Sequence, residues 1–135
     1  MNWQYISGFF DADGSITYTN RRKGRNKTVQ LTFTNVHLNI LTDIEKFIRK
    51  ETGGKGFFKT KHPKKDTHQT SYELMYVDLP KTLAIIEKMR LVHPIKKFKC
   101  KLIKYLKTIT PRNGKYTEEL LIKRERFEKK FFSMG

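Results

Sequence analysis

Asp11 and Asp13 stand two residues apart at the end of an apolar stretch, YISGFFDADG, residues 5–14. Carboxylates in that setting are hard oxygen donors. They suit a divalent cation such as Mg²⁺, which takes one or two carboxylates and completes its shell with substrate phosphates. Such an ion polarises a phosphoryl oxygen, supplies hydroxide and stabilises a leaving oxygen. The plainer use of either acid is to cap a turn. The rest of the chain sharpens the choice. It carries 29 Lys and Arg against 13 Asp and Glu, a formal net charge of +16. A surface of that sign attracts polyanions, and nucleic acid is the default partner. Two acids on a phosphate-seeking surface repel the ligand unless a cation lies between them.

The bulk composition narrows the field. A length of 135 residues fits one domain with a modest core, and 37% hydrophobic residues are enough to build it. No apolar run is long enough to span a membrane, and no signal peptide is expected ahead of Asp11. One cysteine, Cys100, excludes an internal disulfide framework and a cysteine-based zinc cluster. The expected setting is soluble and intracellular, cytoplasm or organelle matrix, not secreted. His37, His62, His68 and His93 show no ligand spacing. A ribosome-like or membrane-surface basic protein would share the charge and leave the acidic turn unexplained.

The elements that must position these acids follow from periodicity. Residues 3–12 read as a helix, with Trp3, Ile6, Phe9 and Phe10 on its apolar face and Gly14 as its stop. Residues 15–22 and 28–36 alternate and read as two half-buried strands joined by a basic hairpin tip. A helix is expected over 39–52, ended by the TGG run, then strands over 56–62 and 70–78 around the basic PKKD tip. Pro80 opens a helix to about Leu91. Further helices are expected over about 95–108 and 117–132. The order is α-β-β-α-β-β-α with two extra helices: one domain, 1–135, with its core in about 1–94 and its C-terminal helices in about 95–135. This is an α+β chain, an antiparallel sheet with helices on one face. Phe58, Phe131 and Phe132 are expected to pack rather than stack on bases.

The other sheet face is then open and polar. Its outward residues are Thr17, Thr19, Arg21, Thr28, Gln30, Thr32, Thr34, Lys59, Lys61, Ser71 and Glu73, with Arg22 and Arg25 at the first tip. A two-stranded ribbon can enter the major groove of duplex DNA, where Arg and Lys suit guanine, Gln suits adenine and Glu can accept from cytosine. A solvated sheet face would look much the same. Strands of ~9 residues span ~30 Å, which tracks ~9 base pairs.

The first helix has a second use. Ser7, Gly8 and Ala12 are small, and small residues on one helical face let two helices approach closely. Two copies packed this way would bring two Asp13 carboxylates together, as cutting two strands at nearby phosphates requires. The chain has one Asp-x-Asp-Gly turn, so a double-strand cutter built from it is a twofold homodimer on a pseudo-palindromic site.

The stretch Ile6-Ser7-Gly8-Phe9-Phe10-Asp11-Ala12-Asp13-Gly14 resembles the LAGLIDADG motif without gaps, with Gly8, Asp11, Ala12, Asp13 and Gly14 identical. The order of elements over the first 94 residues is similar to that family, as is LTFTNVHLNILTDIEKFI, a strand running into the second core helix. The resemblance implies the LAGLIDADG homing-endonuclease fold, with a saddle-like four-stranded antiparallel sheet. It implies a site-specific endonuclease that breaks double-stranded DNA as a homodimer. Asp13 would hold the metal, with the Ala12 carbonyl as a further ligand. Asp11 would serve the turn and the helix interface, formed by Ser7, Gly8, Phe9, Asp11 and Ala12. Mg²⁺ is the implied ion, with Mn²⁺ able to substitute and Ca²⁺ binding without supporting cleavage. No small-molecule cofactor is implied. Members place a water-ordering polar residue just past the second strand; here it is His37, where Gln would be expected. A basic residue opening the helix after the core corresponds to Lys96, with Lys97 beside it; such a cation can offset charge developing on phosphate. Two rivals share the fold: an intron maturase binding RNA, and a non-cleaving DNA-binding regulator.

Overall fold

A computed structural model of the chain describes residues 1–19, 27–62, 69–112 and 114–134. They divide into two compact units, Met1–Val92 and His93–Gly135. The first unit runs α1 (Trp3–Asp13), β1 (Gly14–Thr19), β2 (Thr28–Asn35), α2 (Leu38–Thr52), β3 (Phe57–Lys61), β4 (Ser71–Val77) and α3 (Leu79–Lys88). The second holds α4 (Pro94–Ile109) and α5 (Glu118–Phe132). The expected hairpin tips, with Arg21, Arg22 and Arg25, and His68 near the second, lie outside the described residues.

The four strands form one antiparallel sheet in the order β1-β2-β4-β3. The two αββ halves therefore meet through their second strands, β2 and β4. Alternation puts Ile16, Tyr18, Val29, Leu31, Phe33, Leu74 and Tyr76 on one face, all buried. α1, α2 and α3 pack against the sheet. From α1 come Ile6 and Phe10, from α2 Leu41, Ile44 and Ile48, from α3 Leu83, Ile85 and Ile86. Phe33 sits at the centre, its ring centroid 5.3 Å from Phe10 and 6.3 Å from Tyr76. The Tyr76 hydroxyl is buried without a hydrogen-bond partner among the described residues. Burial, reinforced by the nearby Glu45 carboxylate, pushes its ionisation well above the ordinary phenol range, so it stays neutral.

Three local expectations are refined. Gly14 ends α1 as expected, and does so in extended backbone, its φ of −93° and ψ of 161° beginning the strand directly. Glycine is required there because a Cβ would lie 2.5 Å from Cγ of Phe10. The glycine that does end a helix in the left-handed region is Gly53, with φ 76°, after α2. α3 stops at Lys88 rather than near Leu91, because the following backbone donors go elsewhere: the Arg90 N–H to Ser7 Oγ at 2.9 Å and the Val92 N–H to Asp11 at 2.8 Å. Of the three phenylalanines expected to pack, Phe131 is buried, whereas Phe58 is 43% and Phe132 51% exposed. Phe58 lies on β3, an edge strand whose five residues are all exposed. Phe132 follows Phe131 on one helix, about 100° round the axis, so the two cannot share the buried side.

In the second unit, Cys100, Leu102, Ile103, Leu106 and Ile109 of α4 and Phe127 and Phe131 of α5 are buried. Pro94 stands in the first turn of α4, and Thr117 caps α5 through the Leu120 N–H at 3.2 Å.

Candidate functional site

The structure separates two carboxylates that look alike in the sequence. Asp11 is half-buried, and its Oδ2 accepts the Val92 N–H at 2.8 Å, a contact spanning 81 positions. It holds the segment after α3 against α1. Asp13 is the last residue of α1, is exposed, and makes no hydrogen bond or ion pair with the described residues. A carboxylate at a helix C-terminus adds negative charge to the negative end of the macrodipole. No basic residue in the last turn of α1 offsets it.

A bound cation would offset that charge. Helix geometry leaves the last four carbonyls without intrahelical partners. Gly14 N–H satisfies Phe10, while the Ala12 carbonyl remains one of the other three beside Asp13. One carboxylate and one carbonyl are oxygen donors of the type Mg²⁺ accepts when phosphates and water complete its shell. No group of three or more His, Cys, Asp or Glu side chains among the described residues could enclose an ion. The donor set thus fits a cation shared with a ligand.

The remaining residues of α1 divide by face. Ser7 is buried; its hydroxyl donates to the Trp3 carbonyl at 2.7 Å and accepts from Arg90 N–H at 2.9 Å. It is committed within the unit, apart from the exposed strip. Phe9 is half-buried against Phe33, ring centroids 6.2 Å apart. Gln4, Gly8 and Ala12, spaced by four, are exposed together, and the space over Gly8 is open to at least 4 Å. Gly8 lies in a shallow groove of about 260 Å³ bordered by Trp3, Asp11, Lys88 and Arg90.

On the sheet, register assembles the outward residues into rows. Thr17 faces Gln30, which faces Val77; Thr34 faces Glu73, which faces Lys59; Thr19 faces Thr28, and Lys61 faces Ser71. Thr19, Lys59 and Lys61 are exposed, and Thr17, Thr28, Gln30, Thr34, Ser71 and Glu73 are half-buried. Thr32 is 6% exposed, enclosed on the central strand, and presents little surface. Its row runs Ser15, Thr32, Met75, Phe57 across all four strands. Met75 and Phe57 are therefore an apolar patch on the polar face, with Phe57 40% exposed. They escaped the candidate set because that set was chosen by polarity. The parity of Met75 with Ser71 and Glu73 was visible, but its neighbour on β3 was not.

His37 lies two residues past β2 and precedes α2, exposed; its backbone N–H donates to Asn35 Oδ1 at 2.8 Å. The imidazole is not used as a helix cap. Lys96 and Lys97 belong to the second unit, in the first turn of α4, Lys96 half-buried and Lys97 exposed. The His93 side chain accepts the Lys96 N–H at 3.4 Å.

No family model and no curated protein sequence matches the chain. Solved structures do. One is the homing endonuclease I-CvuI in complex with its target in the presence of Ca: 21% identity, TM-score 0.71, covering 97% of this chain and 80% of that one. Another is the archaeal intron-encoded homing endonuclease I-Vdi141I complexed with DNA: 14% identity, TM-score 0.70, covering 97% and 82%. A third is the LAGLIDADG homing endonuclease I-GzeII in complex with its DNA target: 16% identity, TM-score 0.65, covering 99% of this chain and 43% of that one. The path of α1 into an acidic turn, the β1-β2-β4-β3 sheet and these superpositions agree: the chain has the LAGLIDADG homing-endonuclease fold.

Proposed function

We propose that the chain is a site-specific homing endonuclease. As a homodimer it makes a divalent-metal-dependent double-strand break in a long pseudo-palindromic DNA site. The observation that carries this reading is Asp13: an exposed carboxylate at the end of α1 with no partner among the described residues, where β1 of a polar sheet face begins. A fold contact accounts for Asp11; nothing comparable accounts for Asp13. The fold neighbours are homing endonucleases solved with DNA; I-CvuI is solved in the presence of Ca and also in the presence of Mg, there with the DNA not cleaved.

In this reading, Asp13 and the Ala12 carbonyl would hold Mg²⁺ or Mn²⁺, and Ca²⁺ would bind there without supporting cleavage. The bound ion supplies charge neutralisation and an activated water. His37 orients water from just before α2, and Lys96 offsets charge developing on the phosphate. Threonines, Gln30, Glu73 and the lysines of β3 read base edges.

Gly8 and Ala12, exposed four apart on α1, support the homodimer, since two helices can approach where side chains are small. At a helix seam, Gly8→Leu separates the protomers. Sedimentation velocity is expected to show monomer or aggregate, and an undisturbed dimer would remove Gly8 from the seam.

Two predictions test the reading face. Gln30→Ala is expected to relax preference at one position per half-site by ~1–3 kcal/mol; equal loss on every sequence would reduce it to a backbone contact. The Met75–Phe57 patch suits the methyl group of thymine. Replacing thymines by uracil one at a time in the target should weaken binding at a position where Phe57→Ala removes the difference. Uniform tolerance of uracil would dismiss the patch as a reader.

The reading itself is tested by selection. Purified protein is incubated with a randomised duplex library in Mg²⁺, beside Ca²⁺, EDTA and an Asp13→Asn control. Double-strand ends sharing a long pseudo-palindrome, present only with Mg²⁺ and Asp13, are the expected result. Specific duplex binding without ends would favour a regulator, and binding to RNA alone a maturase.

A further inference from the structure

The sheet ends differently on its two sides. β1, the strand at one end, has α1 packed on it, and its inward residues Ile16 and Tyr18 are buried. β3, at the other end, is exposed at all five residues, Phe57–Lys61. It pairs with β4 residue for residue, from Phe57 opposite Met75 to Lys61 opposite Ser71, without a bulge. Among the described residues no strand lies beyond it. A last strand presents an outer row of N–H and C=O groups, and proteins commonly guard such a row with a proline, a bulge or a covering element. β3 has neither proline nor bulge, and its residues are exposed.

Alternation gives the strand two characters. Phe58 and Thr60 share the helix-side face with Leu74 and Tyr72, yet Leu74 is buried and Phe58 is 43% exposed. Phe57, Lys59 and Lys61 share the open face with Met75, Glu73 and Ser71. Lys59 and Lys61 are exposed and form no ion pair with the described residues, although Glu73 stands opposite Lys59. An exposed ring and two cations along an open edge form a template for extended chain. Such a chain adds main-chain hydrogen bonds along the edge and sets alternate side chains against the two faces.

Charge and placement choose the occupant. A second copy would bring a net charge of +16 against +16. Paired antiparallel about the middle of the strand, it would also set Lys59 against Lys59, and like charges directly opposite are destabilising. Duplex DNA has the right sign for the lysines, but Phe58 lies on the helix side, away from the open face. An acidic polypeptide answers both features. We propose that β3 takes, as a fifth strand, an extended acidic segment of a partner protein in which carboxylates alternate with branched apolar residues. The carboxylates lie opposite Lys59 and Lys61, and an apolar side chain covers Phe58. Five paired positions span about 16 Å.

The test uses the full chain and a fluorescein-labelled peptide that alternates Glu with Val over about ten positions, enough to span β3 with an overhang. A second peptide has the same composition with its Glu residues grouped. Anisotropy is expected to show tighter binding of the alternating peptide. Phe58→Ser is expected to weaken that binding roughly fivefold or more and to leave affinity for duplex DNA within about twofold. Lys59→Glu combined with Lys61→Glu is expected to weaken it roughly tenfold and to shift preference to a peptide alternating Lys with Val. Hydrogen exchange on the unsubstituted chain should show new protection of β3 amides when the alternating peptide is bound; this measurement does not depend on a variant's folding. No binding of the alternating peptide, equal binding of the grouped one, unchanged affinity in Phe58→Ser, or protection confined to other elements would overturn the proposal. Self-association of the chain that Phe58→Ser abolishes, with no peptide protection at β3, would overturn it in favour of a second copy. Duplex cutting is scored separately, so failure of the endonuclease reading is distinguishable from failure of this one.

Discussion

Asp13→Asn is expected to abolish duplex cutting while leaving DNA binding intact or tighter. The substitution keeps size and shape and removes one negative charge. At the end of α1 that charge is opposed by the helix dipole and by no basic residue in the last turn. A neutral amide repels phosphate less, so affinity is kept. It is also a much poorer ligand for a hard cation, so the electrostatic stabilisation of a developing charge is lost. Removal of one such group costs on the order of 10²–10³-fold in rate, and loss of the ion costs more. Cleavage of a selected target, followed beside anisotropy on the same duplex, checks both halves. Asp11→Asn is the control: an amide oxygen can still accept the Val92 N–H, so folding and cutting should change little. If Asp13→Asn loses binding as well, the acid is structural. If it still cuts, the metal is held elsewhere.

Phe33→Ala carries the largest expected cost to stability, about 3–5 kcal/mol. Phe33 is fully buried on the central strand β2, between the rings of Phe10 and Tyr76, with Phe9 alongside. Truncation leaves a cavity where the two αββ halves meet and removes edge-to-face contacts worth about 0.5–1.5 kcal/mol each. Against a typical domain stability of about 5–15 kcal/mol, that loss is a large fraction. Urea denaturation followed by circular dichroism measures it. Phe33→Leu, which fills most of the space, should cost clearly less. A loss below about 1 kcal/mol for the alanine variant would mean that the core does not rest on this ring. Because Phe10 packs on Phe33 and Asp13 follows three residues later, cutting should fall in the alanine variant even at temperatures where it remains folded.

Much of the first unit was legible because it depends on period and punctuation. Alternation in TVQLTFTN, the apolar spacing of α2 and the positions of Gly53 and Pro80 all act within a few residues, and each element was found within a few residues of its expected bounds. The order α-β-β-α-β-β-α and the open polar face followed from those elements. The acidic turn stood out as well, since two carboxylates and a glycine contradict the charge of the rest.

What depended on contacts between distant residues was decided by the tertiary structure. Asp11 and Asp13 are equal as residues; only the Val92 N–H, arriving from the far end of the unit, made one a fold contact and left the other exposed. Ser7 likewise turned inward because Arg90 N–H needed an acceptor. Gly14 was required by a ring four positions back across the helix end rather than by a turn of its own. The pairing of Met75 with Phe57 came from strand register, which local pattern does not specify across a loop. Composition and periodicity determined the elements, their faces and the chemistry available to them. Long-range hydrogen bonds and register determined which of the matching side chains were consumed by the fold and which remained exposed, because a buried donor must find an acceptor wherever the packed chain supplies one.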